Sequence, residues 1–420
     1  MLENNGRTPV RINKIFTQFK GFNVTAKRLI LASVLGYVGF TFIWFLFILY
    51  LEHLHVSKGE IGIAVFIMSA SSTLPLIPAG YLGDKYGRIK MMFLGISITI
   101  LGISLLILAN ELYVFYVGSM FWGFGSALYF PAFTAYLSGT VDEVKRKYLF
   151  SFQMFASTIA SAVSVFFAGM MPNFFARTLN ISLQNGFRGV FCIGFVFIAL
   201  QILPLTLAVK QKMNIDPKHE KVENPSKTKR PYIPWKTILM LSLPSVFLGF
   251  GAGLVVPFFQ VYFVWRFNTP ISVIGVIFSI TNFVWAIAYL FMPYVAEKLG
   301  SVKTIALVQT IAIIALIAIP LSPNFLVVVI MYLIRMVLMN ATWPIFQAYS
   351  VSRVPEKHRS LTLSSTAFAF SGLNSISPGI AGYIYERNIN LPFFICAIFY
   401  IVSTIIFFTY FRRKDDKTLQ

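Results

Sequence analysis

The chain has 420 residues, of which 57% are hydrophobic and 12% charged, with a mean hydropathy of +0.74. A soluble domain carries about 25% charged residues, so most of this chain lies where charge is penalised, which excludes an ordinary soluble architecture. The net charge of +20 would suit nucleic acid, but the basic residues are segregated between apolar segments, which marks a membrane topology signal instead.

Residues 1–28 are polar and basic, with no cleavable apolar region, so the first hydrophobic helix is expected to be retained. Within this tail Ile12, Ile15, Phe16 and Phe19 recur at helical spacing beside Arg11, Lys14 and Lys20. That pattern suits a short amphipathic helix at the membrane surface or a disordered basic tail. Apolar spans follow near 29–51, 61–83, 91–109, 112–138, 148–172, 188–209, 237–263, 271–296, 304–321, 324–350, 361–385 and 391–411. Each can cross a hydrocarbon core of about 30 Å at about 1.5 Å per residue.

Of the 35 Lys and Arg residues, Lys58, Arg177, Arg188, Arg266 and Arg387 fall on one side and Arg335 within a span; the rest lie on the side of both termini. The positive-inside rule then makes both termini cytoplasmic, in a multi-pass protein of the cell membrane. The expected organisation is a cytoplasmic tail (1–28), a six-helix bundle (29–209), a polar linker (210–236) holding Pro217, Pro225, Pro231 and Pro234, a second bundle (237–411) and a short tail (412–420).

The two bundles align without a gap at a constant offset. Ile61-Gly62 matches Ile274-Gly275, GYLGDKYGRIK (80–90) matches PYVAEKLGSVK (293–303), PAFTAY (131–136) matches PIFQAY (344–349), Arg146 matches Arg359, and Ala168-Gly169 matches Ala381-Gly382. Parallel duplication of an even number of spans relates the halves by an axis along the membrane normal and puts a solute path at their interface. The predicted fold class is an all-α membrane protein of twelve transmembrane helices in two six-helix repeats.

The motif Gly80-Tyr-Leu-Gly83-Asp84-Lys85-Tyr-Gly87-Arg88-Ile-Lys90, in the loop between the second and third spans and echoed between the eighth and ninth, resembles the signature of the major facilitator superfamily. A hairpin reversing at the membrane edge needs glycine for close approach and positive φ, as at Gly83 and Gly87. Asp84 suits acceptance from helix-start N–H groups or from a cation such as Arg88 or Arg146. The resemblance implies a conformational latch of Gly80, Gly83, Asp84, Lys85, Gly87, Arg88 and Lys90, with Arg146, Glu297 and Arg359, that joins the halves on the cytoplasmic face when the cavity opens outward. The second copy has Ser301 in place of Arg88, so the first copy is the expected stronger latch. The chain resembles the drug-exporter-like branch with two departures: Ser119 stands where that branch has an Arg in helix 4, and helix 5 lacks its Gly-Pro motif. The branch's proton-coupled mechanism therefore does not carry over on its motif residues.

All 15 Asp and Glu residues, and all four His, fall outside the spans. No embedded acid is available to titrate, so facilitated diffusion or another coupling ion is favoured over proton drive. Arg335 is the one embedded charge; its repeat-mate is Trp122. In the resembled family the first helix of each three-helix unit lines the cavity, so Arg335 is expected to face water and an acidic or polar solute group, against a structural tie to carbonyls or amides. Other candidate cavity groups are Trp122, Tyr129, Tyr37, Thr41, Trp44, Gln260, Asn282, Asn340 and Asn374, each weighed against packing or interhelical bonding. Ser126, Phe133 and Gln153 sit among them, and Pro131, Pro344 and Pro378 are expected to kink their helices.

Cys192 and Cys396 lie in apolar stretches and read as small hydrophobes. With no nucleotide-binding motif, metal-ligand cluster or catalytic dyad at membrane depth, neither an enzyme nor a cofactor is expected. The expected activity is secondary active or facilitative transport of a small organic or amphipathic solute by a monomer in contact with membrane lipid, with a coupling ion left open and no nucleic acid. A lipid-linked flippase and a non-transporting scaffold or receptor on the same fold are the alternatives.

Overall fold

The computed structural model describes residues 21–141, 143–213, 234–355 and 358–416, and within the helices a few side chains, that of Asp84 among them, fall outside the description. The amphipathic pattern at 12–19 and most of the 210–236 linker also lie outside it. Among the described residues the secondary structure is helical, with no strand.

Among the described residues the helices group into twelve passes. They are α1 (Val24–His53), α2 (Lys58–Thr73 and Leu76–Tyr86), α3 (Arg88–Leu108), α4 (Leu112–Ser138), α5 (Glu143–Thr178) and α6 (Leu183–Leu200 and Ile202–Met213) in the first half. The second half has α7 (Trp235–Val255 and Phe259–Phe267, joined by a 3₁₀ turn at Val256–Phe258), α8 (Ile271–Leu299), α9 (Ser301–Leu321), α10 (Phe325–Ala341 and Trp343–Ser352), α11 (Arg359–Arg387) and α12 (Leu391–Asp416). Hydrocarbon offers no partner for backbone N–H and C=O groups, so a chain of this composition satisfies them within helices. The starts are fixed locally: the Asn23 side chain caps α1, and Ser57 and Glu60 form a capping box on α2.

Several helices run past the apolar spans, α5 beginning at Glu143 and α12 ending at Asp416. Hydropathy marks the stretch that sits in hydrocarbon, whereas the helix itself continues into the headgroup layer. Leu112–Ser138 and Arg359–Arg387 fall short of the hydropathy that ten other passes reach, because Gly, Ser, Thr and Tyr replace aliphatic residues along them. Of the three prolines expected to kink their helices, one adjoins a helix break. α10 is interrupted at Thr342 beside Pro344, while α4 and α11 run through Pro131 and Pro378 unbroken. Further breaks fall at Leu74-Pro75 and at Pro257 in the 3₁₀ turn.

The halves meet along α2 against α11, α5 against α8, and the Phe259–Phe267 part of α7 against α1. The first two contacts are glycine to glycine. A Cβ on Gly62 would lie 2.6 Å from the Pro378 carbonyl and 2.9 Å from the Gly382 Cα, and one on Gly169 would lie 2.8 Å from the Gly275 Cα. These are the four glycines that the repeat pairs, Gly62 with Gly275 and Gly169 with Gly382. The two seams are thus one contact repeated by the pseudo-twofold. Polar bonds reinforce the first seam: Gly59 N donates to Glu386 Oε1 at 2.9 Å, and the Thr73 and Ser375 hydroxyls share a bond of 2.7 Å.

This seal lies toward the face opposite the termini. On the face of the termini, Leu76–Tyr86 and Trp343–Ser352 pack against helices of their own halves. Ile77 is 71% exposed there, Tyr81 66% and Phe291 65%, so the halves part toward that face.

Cysteines at Lys58→Cys and Glu386→Cys, with Cys192→Ser and Cys396→Ala, should cross-link readily across the first seam. Adding Gly62→Leu or Gly169→Leu should cost the closed seam about 1–3 kcal/mol through overpacking and sharply reduce the cross-linked fraction on a denaturing gel.

Candidate functional site

A cavity of about 480 Å³ lies inside the first half. Ser33, Gly36, Tyr37 and Phe40 of α1 form one wall, and a face of α4 from Trp122 through Ser126, Tyr129, Phe130 and Phe133 to Leu137 forms another. Phe150, Gln153 and Met154 of α5, Ile96 and Thr99 of α3, and Ile198 and Gln201 at the break in α6 complete it. Helical spacing explains the α4 wall, since residues three or four apart share a face.

Trp122 is 1% exposed and is fixed edge-on to Phe40, Trp44 and Phe47, with ring centroids 5.5, 6.2 and 6.0 Å away. Such pairs hold an aromatic wall in one geometry. Tyr37 and Met154, 37% and 64% exposed, mark the open side. Among the described residues no charged side chain lines the cavity. Two buried polar atoms in its wall have no hydrogen-bond partner, the Tyr129 hydroxyl and the Gln201 Oε1. Native structures seldom leave such groups unpaired unless a ligand or water meets them. Gln201 also abuts the Cα of Gly36, where an added Cβ would collide with its amide oxygen, so Gly36 is what lets the amide reach inward.

Of the expected cavity residues, Tyr37, Trp122 and Tyr129 line this hollow. Trp44 backs it by stacking on Phe40, and Thr41 is turned away to share a 3.0 Å bond with Ser161. The others lie in the second half and off the cavity. Asn340 donates to the Met336 carbonyl of its own helix at 2.7 Å, Asn374 ties α11 to the Gly249 carbonyl of α7 at 3.3 Å, and Asn282 is half-buried on α8. Gln260 is buried with its Nε2 unpartnered.

Arg335 is corrected more sharply. It is 2% exposed rather than facing water, donates to the Tyr400 hydroxyl at 2.6 Å and to the Met336 sulfur at 2.7 Å, and lies over the rings of Phe259 and Tyr400. The helix face that carries it turns into the packing between α7, α10 and α12. The hollow described here is lined by the first half alone. Gly36 and Gln201 escaped the sequence reading, although a glutamine midway along an otherwise apolar span signals Gln201.

In the loop motif, Gly87 has φ of +97° and its repeat-mate Gly300 has +82°, as the hairpin requires. Gly83 is instead helical, and a Cβ on Gly80 or Gly83 would meet nothing within 4 Å. Arg88 donates to the Ala135 carbonyl at 3.3 Å and Arg146 to the Ser138 carbonyl at 3.0 Å, both at the C-terminal end of α4, where the helix dipole favours cations. Lys85 lies over the Tyr86 ring, while Lys90, Glu297 and Arg359 are exposed.

Two arginines of the opposite face act as clamps. Arg188 binds the Tyr50 hydroxyl, the Ala109 carbonyl at 2.6 Å and Asn110; Arg266 binds the Tyr262 hydroxyl, Asn390 and the Pro320 and Ser322 carbonyls.

A duplicated twelve-helix bundle, sealed at one face, parted at the other and hollow in its interior, defines a polytopic membrane transporter. The chain matches the Major Facilitator Superfamily over residues 29–360 and 241–420 and belongs to that family. Multidrug resistance protein 2 of Bacillus subtilis is 24% identical over 380 residues, 87% of this chain and 90% of that protein. Quinolone resistance protein NorB of Staphylococcus aureus is 30% identical over 156 residues, 37% of this chain and 32% of NorB. A bacterial homologue of the iron transporter ferroportin in an inward-facing state shares the fold with a TM-score of 0.73 at 14% identity, covering 92% of this chain and 98% of that one. A D-xylose–proton symporter does so at 0.70 and 13%, covering 91% and 96%.

Because the Tyr129 hydroxyl has no bond to lose, Tyr129→Phe should change stability by less than about 1 kcal/mol. Arg266→Ala, which orphans several carbonyls, should cost about 2–4 kcal/mol. Thermal unfolding of the purified protein compares the two.

Proposed function

We propose that this protein is a secondary active or facilitative transporter of the cell membrane that carries a small organic or amphipathic solute by alternating access, with the solute's apolar body held in the aromatic cavity of the first half. The observation that carries this reading is the hollow itself. Its walls are aromatic and uncharged, and the unpartnered Tyr129 hydroxyl and Gln201 amide oxygen are placed to orient a guest. Pockets with mostly apolar walls and a few convergent polar groups are the usual form of a small-molecule site. The relatives named for multidrug and quinolone resistance favour efflux of solutes of that kind.

With both termini cytoplasmic, as the basic residues argue, the parted face opens inward and the glycine seams close the outside. The opposite state requires the seams to open and the Gly80–Lys90 loop to meet the second half. Arg88 and Arg146, engaged with the end of α4 here, would then exchange partners. The space beside the Cα of Gly80, where an added Cβ would meet nothing within 4 Å, suits the approach of another backbone there. Among the described residues every Asp and Glu lies in a loop or in the first or last turn of a helix, which favours uniport or coupling to an ion other than the proton. The chain would work as a monomer, since each half completes the other.

Counterflow in liposomes with a panel of aromatic solutes, with and without a pH gradient, tests this reading. Gln201→Leu and Trp122→Ala should each reduce exchange by about 10-fold at unchanged membrane levels, the size of a lost oriented contact. Exchange of no solute, or exchange by both variants equal to that of the wild type, would sink it.

A further inference from the structure

The structure contains a second feature suited to a guest, in the other half and of opposite character. Arg335 has five N–H donors, and they find only one oxygen, the Tyr400 hydroxyl, besides the weakly accepting Met336 and Cys396 sulfurs. Its Nε is buried with no partner. Near it stands the Tyr385 hydroxyl, which is buried and has no hydrogen-bond partner. Phe259, under the guanidinium, stacks edge-on with Tyr332 at 4.7 Å and with Phe393 at 5.7 Å, and Phe393 in turn meets Tyr385 at 6.5 Å.

Two comparisons within the molecule argue against a merely structural arginine. Arg188 and Arg266 show how this fold anchors one: each reaches backbone carbonyls at a helix end, and Arg335 reaches none. The repeat supplies the other comparison, since the matching position in the first half holds Trp122. The architecture therefore does not require a cation at that site. Nor can the chain neutralise the charge from within, because among the described residues no carboxylate lies away from a loop or helix end. A buried cation without a counter-charge is strongly disfavoured.

We propose that Arg335 is the anchor of an anion site in the second half, taking a singly charged anion at its Nε edge. That anion is a free inorganic ion such as chloride or the carboxylate of the transported solute. The α7 break at Val256–Phe258 immediately precedes Phe259, the residue that covers the guanidinium, so a discontinuous helix adjoins the charge. Interrupted helices of this kind flank ion and substrate sites in transporters because their ends can move and bind. The α10 break at Thr342 lies two turns beyond Arg335 on its own helix. This inference deepens the transport reading by giving one end of the solute, or its co-ion, a charge.

Thermal unfolding and tryptophan fluorescence of the purified full chain, titrated at constant ionic strength, test the site without any flux. Sodium chloride and sodium benzoate are the probes and sodium gluconate the reference. The wild type should show saturable stabilisation by chloride, by benzoate or by both. Chloride alone identifies a free ion, and benzoate alone identifies a carboxylate of the solute. Arg335→Gln should abolish the response. Tyr400→Phe, which keeps the cation and frees a donor, should keep the response or strengthen it several-fold, and serves where Arg335→Gln does not fold. No response to either anion in the wild type, an equal response in Arg335→Gln, or loss of the response in Tyr400→Phe overturns the proposal. Anion binding by a chain that exchanges no solute would fail the transport reading alone.

Discussion

Helices in hydrocarbon gain little by burying apolar side chains against one another, because lipid tails are as apolar as leucine. Association depends instead on close van der Waals fit and on polar groups that find partners. Backbone contact at four glycines is that fit here. Gly62 against Gly382 and Gly169 against Gly275 bring two helix pairs together where any side chain would collide. The seal, the parting of the opposite face and the direction in which the interior opens all depend on it. The contact is narrow and the same at both seams, unlike a broad interdigitated interface.

Within this symmetric frame the two interiors differ. At matched positions the first half holds Trp122 in a cluster of Phe40, Trp44 and Phe47, and the second holds Arg335 on Phe259 and Tyr400. One half offers an uncharged aromatic hollow and the other a cation with unfilled donors. A duplicated scaffold thereby carries two chemistries at matched positions. The α1–α8 ring pair Phe45–Phe278, at 5.6 Å, joins the two interiors, and Phe278 lies 5.2 Å from Tyr332.

The helices, their repeat and the special glycines were legible because they depend on local or periodic features. A hairpin at the membrane edge needs positive φ at Gly87 and Gly300 whatever packs around it, and the constant offset paired the seam glycines before any contact was known. The cavity was legible only in part. The face of α4 followed from spacing, which identified Trp122 and Tyr129. Whether the matching face of α10 meets a hollow or a packed wall depends on the α7 and α12 side chains opposite it, and no periodicity carries that. Gly83 was assigned a turn that the helix had no need of, because the reversal is completed at Gly87. Gln201 stands out as a glutamine in an apolar span, but that its amide reaches inward depends on the missing side chain of Gly36, which the span alone does not reveal.

The arginine clamps bear on how the chain acquires its orientation. Ala109 and Ser322 are equivalent in the repeat, yet one is bound by Arg188 from α6 and the other by Arg266 from α7. The halves reached the same solution with different helices. Lys58 is likewise engaged, with the Tyr385 carbonyl and the Trp265 ring. Three of the five cations on that face are thus absorbed by helix ends and aromatic rings once the protein has folded. They keep their charge but lose their freedom, so that face presents fewer mobile cations to the membrane surface than its sequence suggests.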